Sequence, residues 1–322
     1  MSPEASAGAA VETRDLKRVF GTVTAVDGLS FDVRPGELFG LVGPDGAGKT
    51  TTLRMLAGVL RPTSGDARVF GASVATDPER IKPDLAYMSQ RFGLYADLTV
   101  AENLDFYADL FRVPSAERAA RYERLYRFSN LGPFHGRLAG QLSGGMKQKL
   151  GLSCALIHEP RLLLLDEPTF GVDPVSRRDL WIMVHEMVAR GVTAIVSTAY
   201  MDEAERFDRL ALLHRGRAVA IDTPQALQRT LEGRLLGIRV DRPRRARAAA
   251  LALPGVSGAA IFGDQLHLTV DDAARRAPEV ERALAAQGFT VTAAAPVAAG
   301  LEDVFIARLA EQEQAPAAAG AP

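Results

Sequence analysis

The chain has 322 residues, 47% hydrophobic and 24% charged, enough for one full-sized core and a second small domain. Its formal net charge of −1 argues against a dedicated nucleic-acid binder, which needs a basic surplus to neutralise phosphates. Cys154 is the one cysteine and can form no intrachain disulfide, so nothing ties the chain to an oxidising compartment, and the cytoplasm fits best.

Residues 1–10 are small and polar, with no basic segment leading into an apolar run, so they do not read as a secretory signal and are expected to be disordered. Residues 11–39 read as short alternating strands, with Pro35 and Gly36 supplying a turn. The apolar strand 38–42 then runs into Gly43, Pro44, Asp45, Gly46, Ala47, Gly48, Lys49 and Thr50, which match G-x-x-x-x-G-K-[ST], and a helical pattern follows from Thr51. That context is what a phosphate-binding loop requires. Its glycines let backbone N–H groups curl around phosphates, Lys49 brings a cation to the terminal phosphates, and Thr50 is a ligand for Mg²⁺. The alternative, a glycine-rich turn before a lysine, does not account for the flanking strand and helix.

The strand 85–89 ends at Gln90, and a helical, charged stretch over about 91–140 reads as an inserted subdomain. Leu142, Ser143, Gly144, Gly145 and Met146 precede a helix expected to begin near Lys147; two glycines at a helix start expose N–H groups to an anion, or simply open the helix. The apolar run 162–165 falls far short of the roughly 20 residues that span a bilayer. It reads as a buried strand that ends in Asp166 and Glu167, where open α/β sheets bind ligands, although an acidic pair there also suits a helix cap. Asp166 would assist Mg²⁺ and Glu167 would polarise an attacking water. A long helix over about 177–189 and a strand at 194–197 complete an α/β pattern.

After Pro224 the character changes. A strand at 235–240, a helix at 244–253, a hairpin 256–262 and 265–270 around Gly263 and Asp264, a helix at 278–287 and a strand at 289–292 give the order βαββαβ, a ferredoxin-like domain. Arg242, Arg244, Arg245 and Arg247 read as a solvated helix face rather than a lipid contact. The Ala- and Pro-rich tail, 311–322, is expected to be disordered.

Taken in order, the phosphate loop, Ser143-Gly144-Gly145, and Asp166-Glu167-Pro168 resemble the motifs of ABC ATPases. The resemblance covers about 11–227 and implies a P-loop NTPase of ABC type, a RecA-like core with antiparallel β and helical subdomains, followed by an α+β accessory domain at about 234–310. It implies ATP and Mg²⁺ as ligands, and a site shared by two chains, with Ser143, Gly144 and Gly145 of one reaching the γ-phosphate held by Gly43–Thr51 of the other. By position in the family, Phe20 would stack on adenine, Gln90 would reach Mg²⁺, and Asp173 would signal across the dimer; the plainer alternatives are a core ring, a surface amide and a helix cap. Residues 90–107, with Arg91, Phe92, Tyr95 and Asp97, lie where such subunits receive a membrane partner's helix; exposed aromatics there can instead pack within the subdomain.

The sequence departs from the family at two positions. Ala199 stands where a histidine normally contacts the γ-phosphate, a loss that typically costs on the order of 10²- to 10³-fold in rate. Asp45 stands where Asn is common. Both departures resemble the first ATPase half of YbhF-type exporters, and the residues 301–306 resemble the accessory domain of drug-exporting, DrrA-like subunits of the ABC-2 class. The expectation is an ATP-hydrolysing exporter subunit, peripheral on the inner face of the cell membrane, that works with a second ATPase and with transmembrane permease subunits that hold the substrate. Two alternatives are a non-transport ABC ATPase and a regulatory module that binds ATP with little turnover.

Overall fold

A computed structural model describes residues 8–90 and 93–314. The chain divides into two compact units, Met1–Ala218 and Val219–Pro322.

In the first unit the elements run β1 (Val11–Phe20), β2 (Val23–Val33), β3 (Leu38–Val42), α1 (Lys49–Leu56), β4 (Ser64–Val69), β5 (Ala72–Ser73), β6 (Leu85–Met88), α2 (Val100–Leu110), α3 (Ser115–Ser129) and α4 (Gly144–Leu156). They continue as β7 (Leu162–Asp166), α5 (Pro174–Ala189), β8 (Thr193–Thr198), β9 (Arg209–His214) and β10 (Arg217–Asp222), within which the first unit ends. Two sheets form, an antiparallel one in the order β2-β1-β4-β5 and a second in the order β10-β9-β3-β8-β7-β6. From β9 to β6 the second sheet is parallel throughout. A parallel sheet has both faces covered, so its strands are continuous apolar runs rather than alternating ones. Leu162 to Leu165 of β7 accordingly have no measurable exposure.

Because β8 lies between β3 and β7, the carboxyl ends of those two strands flank a position where the chain order switches, and the loops leaving them face one crevice. The inserted helices hold the loop before α2: buried Asn103 accepts from the Tyr95 N–H through Oδ1 and donates through Nδ2 to the carbonyls of Tyr95, Leu98 and Thr99.

The second unit contains α6 (Pro224–Arg229), β11 (Leu235–Val240), α7 (Pro243–Leu251), β12 (Val256–Phe262), β13 (Gln265–Val270), α8 (Ala273–Ala286), β14 (Val291–Pro296) and α9 (Leu301–Gln314). Its sheet is antiparallel in the order β12-β13-β11-β14, the arrangement of a ferredoxin-like domain. Leu236, Ile238, Leu266 and Leu268 form its core with Ala246, Val280 and Leu284 of α7 and α8.

Several boundaries differ from the sequence expectation, each for a local reason. The helix α4 starts at Gly144 rather than near Lys147, because the Ser143 hydroxyl accepts from the Met146 N–H and caps it. Capping by Asp272 likewise starts α8 five residues before Pro278, which is accommodated inside the helix. Ala10 is buried and donates to the Val33 carbonyl, so residues 8–10 belong to the first sheet's surroundings; residues 1–7 lie outside the described residues. The helix α9 carries the chain to Gln314, past the expected start of a disordered tail at 311, because Ala, Glu and Gln there are good helix formers. Residues 315–322, Arg91 and Phe92 lie outside the described residues.

Candidate functional site

A cleft of about 450 Å³ opens at the carboxyl ends of β3 and β7. Among the described residues its lining includes Asp45, Gly46, Ala47, Gly48, Lys49, Thr50, Thr51, Gln90 and Glu167, with Val23, Thr24, Ala25 and Phe170 on the remaining sides. The loop takes its shape from its glycines. Gly48 has φ 103°, and a Cβ there would meet the Ala25 carbonyl oxygen at 2.6 Å, so a side chain is excluded by conformation and by space.

Lys49, 4% exposed, donates to the carbonyls of Gly43 at 2.8 Å and Pro44 at 3.1 Å. Its third partner is Glu167 Oε1 at 3.1 Å. The other carboxylate oxygen of Glu167 accepts from Gln90 Nε2, also at 3.1 Å, so residues from three strand ends meet on one carboxylate. Thr50 Oγ1 donates to Asp166 Oδ1 at 2.9 Å. A hydroxyl, a carboxylate and a carboxamide at one end of a phosphate-binding loop are hard oxygen donors, which suits Mg²⁺ held by few protein ligands plus phosphates.

Glu167 has φ 49°, a left-handed backbone rare for a residue with a side chain and one that clusters at functional sites. Its N–H donates to Ser197 Oγ at 3.0 Å and to the Ser197 carbonyl at 3.2 Å. Tyr87 donates to Asp166 Oδ2 at 3.3 Å, and burial, with the Asp166 charge beside it, raises its phenol above its ordinary pKa.

The remaining candidates lie outside this cleft. Phe20 ends β1 opposite Val23, 45% exposed, with the Arg18 guanidinium 4.5 Å from its ring centre. Ser143 and Gly144 are exposed at the start of α4, and Gly145 is buried against α5, where a Cβ would fall 2.1 Å from Ser176 Oγ. Asp173 caps α5, accepting from the Val175 and Ser176 N–H groups; chiefly the Ser176 bonds hold its carboxyl below the usual carboxylate range. Tyr95 is 47% exposed and packs edge-on against Phe106, with ring centres 4.5 Å apart.

Residues 26–170 match the ABC transporter family. The chain is 33% identical over 304 residues to "Daunorubicin resistance ATP-binding protein DrrA2" of Streptomyces coeruleorubidus, covering 93% of this chain and 94% of that protein. The chain belongs to the ABC transporter family. Over 246 residues, 76% of its length, this ABC protein is 50% identical to "Probable multidrug ABC transporter ATP-binding protein YbhF" of Escherichia coli (strain K12). It spans only 43% of the length of that relative. The solved structure of an ATP-binding subunit of an ABC transporter aligns with a TM-score of 0.63 and 32% identity, covering 69% of this chain and 93% of that one. The fold is the P-loop NTPase fold of ABC cassettes.

Glu203 of this ABC protein belongs to none of the sequence motifs. Its carboxylate is 1% exposed and accepts from Thr198 Oγ1 at 2.6 Å, Thr169 Oγ1 at 3.1 Å, Arg177 Nε at 2.6 Å and Trp181 Nε1 at 3.0 Å. It joins the end of β8, the loop after Glu167 and the first turns of α5. A carboxylate within the exposed-looking run Met201-Asp202-Glu203 gives no sequence signal of its burial. Ser197 and Tyr87 were passed over for a similar reason: each reads as an ordinary strand residue until the sheet is assembled.

Proposed function

We propose that this chain is the nucleotide-binding, ATP-hydrolysing subunit of an exporter, acting with a second ATPase domain and with membrane-spanning partners. The observation that carries the reading is the convergence of Lys49, Thr50, Gln90 and Glu167 on one cleft, with Asp166 bonded to Thr50 behind it. Arriving phosphates would compete with Glu167 for Lys49, which frees the carboxylate to orient water for in-line attack. Thr50, Gln90 and Asp166 would hold Mg²⁺, which when bound neutralises charge on the β- and γ-phosphates.

Drug export is supported by the drug-resistance and multidrug names of the relatives. Among the described residues no helix is long and apolar enough to cross a membrane, so in this reading membrane partners supply the transport path and the chain works on the inner face. Exposed Phe170, at the rim of the cleft, and exposed Val175, in the first turn of α5 after Asp173, suit a surface covered by a second ATPase domain. That second domain would present its own Ser143-type turn to ATP held here, and receive Ser143, Gly144 and Gly145 of this chain at its own site.

Ala199 makes this site a slow one, because no imidazole stands at the end of β8 to steady the transferred phosphoryl group. The purified chain should bind Mg-ATP, and Lys49→Ala should abolish that binding in a fluorescent-nucleotide titration; no binding by the wild type would refute the whole reading. Ala199→His should raise single-turnover hydrolysis by on the order of 10²- to 10³-fold. A rate unchanged by the histidine would refute the slow site, and a wild type that binds ATP without any turnover would favour a regulatory module.

A further inference from the structure

We infer that Ser197 is a positioning residue whose hydroxyl locks the Asp166 and Glu167 carboxylates into one arrangement for the metal and the attacking water. The inference rests on the nucleotide-site reading above. Ser197 lies near the end of β8 with no measurable exposure, in a strand otherwise apolar from Ala194 to Val196. A hydroxyl there costs free energy unless both its donor and its acceptor capacity are used.

Both are used, and chemistry fixes their direction. Ser197 Oγ is 2.8 Å from Asp166 Oδ1, and an ionised carboxylate only accepts, so the hydroxyl proton points at Asp166. The same oxygen therefore accepts from the Glu167 N–H at 3.0 Å. One atom thus orients the first carboxylate through its side chain and the second through its backbone.

The backbone contact matters because Glu167 adopts φ 49°, which a residue with a Cβ leaves unless the surroundings hold it. The side-chain contact matters because Asp166 Oδ1 also receives Thr50 Oγ1 at 2.9 Å, while Tyr87 holds Oδ2. Asp166 is thereby clamped at both oxygens before any metal arrives. In this chain the end of β8 reaches the acidic pair through Ser197: the next residue, Thr198, is committed to Glu203, and Ala199 carries no polar group. Substitution of such an outer-shell partner typically weakens metal binding or activity by about 10- to 100-fold.

The test uses the full chain with Ser197→Ala and Ser197→Thr, and Mn²⁺ as the probe in the presence of a non-hydrolysable ATP analogue. Electron paramagnetic resonance titration should show Mn²⁺ affinity reduced about 10- to 100-fold in Ser197→Ala and within about threefold of wild type in Ser197→Thr. The analogue's affinity without metal should stay within about twofold in both, because Ser197 does not line the cleft. Hydrogen exchange at the Glu167 amide, measured without nucleotide, should quicken at least about threefold in Ser197→Ala alone; the Ser197 carbonyl still accepts, so the rise is modest. Wild-type Mn²⁺ affinity in Ser197→Ala, or equal loss in both variants, overturns the inference. A wild-type chain that fails to bind the analogue overturns the nucleotide-site reading instead, and amide exchange then decides the role of Ser197 by itself.

Discussion

The cleft below β3 and β7 and the turn that opens α4 are both built from glycines next to a polar residue at a helix start, yet they end in different physical situations. In the cleft, the side chains of Lys49 and Glu167 are almost wholly buried and, among the described residues, bond to one another, to Gln90 and to loop carbonyls. Around α4, Ser143 and Asp173 are exposed, and each spends its oxygen on capping its own helix. The first region gathers groups from distant strands into a concave, charged space, whereas the second presents exposed residues whose side-chain oxygens are already used in capping. A concave charged site can hold a polyanion unaided. An exposed turn such as Ser143-Gly144 contributes only when another surface is brought to it, and in the proposed function the two regions accordingly serve halves of different sites.

The most severe substitution lies beside both regions, at the carboxylate that ties the loop after Glu167 to α5, the helix against which Gly145 packs. Glu203→Ala would leave Arg177 and Trp181 without their buried acceptor, and a urea titration should show a loss of about 3 kcal/mol, at the lower end for a broken buried pair because Arg177 is partly exposed. A loss below about 1 kcal/mol would mean that this buried carboxylate does not hold the loop after Glu167 to α5. Gly145→Ala separates the two regions more gently. Its new methyl group must displace Ser176, whose N–H is bonded to Asp173, while the cleft is untouched. ATP affinity of the isolated chain should stay within about twofold, and turnover in the proposed assembly with a second ATPase domain should drop about tenfold. If affinity and turnover fell together, the separation of the two regions would be wrong. Phe20→Ala gives the smallest expected effect. Outside the cleft lining but opposite Val23, which belongs to it, the ring should contribute about 1 kcal/mol of base stacking, roughly a fivefold change in ATP affinity. A matching loss with a nucleotide that lacks the base would assign Phe20 to the fold instead.

The C-terminal unit illustrates how legibility depends on locality. Its βαββαβ order from β11 to β14 followed from apolar periodicity and from the Gly263-Asp264 turn, because those signals act within a few residues, whereas the helices α6 and α9 that flank it were not expected. Its boundaries at α8 and α9 did not follow: Pro278 looked like a helix start, and the polar Gln312 to Gln314 looked like a tail. Capping by Asp272 and the intrinsic preference of Ala, Glu and Gln for helix outweighed both cues.

The sequence by itself determined the phosphate loop, the acidic pair, the Ser143 turn and their order, since each is a contiguous pattern whose backbone demands are local: glycines where φ is positive, a cap before a helix, a buried run before the carboxylates. The absence of an imidazole at 199 was equally plain. Only the tertiary structure decided that Lys49 pairs with Glu167, that Gln90 and Tyr87 reach the acidic pair, that Glu203 is buried with four donors, and that Ser197 serves both carboxylates. Such contacts join residues as many as 118 positions apart, as Lys49 and Glu167 are, and they exist because parallel strands from separate parts of the chain end at one edge of the sheet. A polar residue buried there carries no mark in its own sequence neighbourhood; its partner is chosen by the order in which the strands lie side by side.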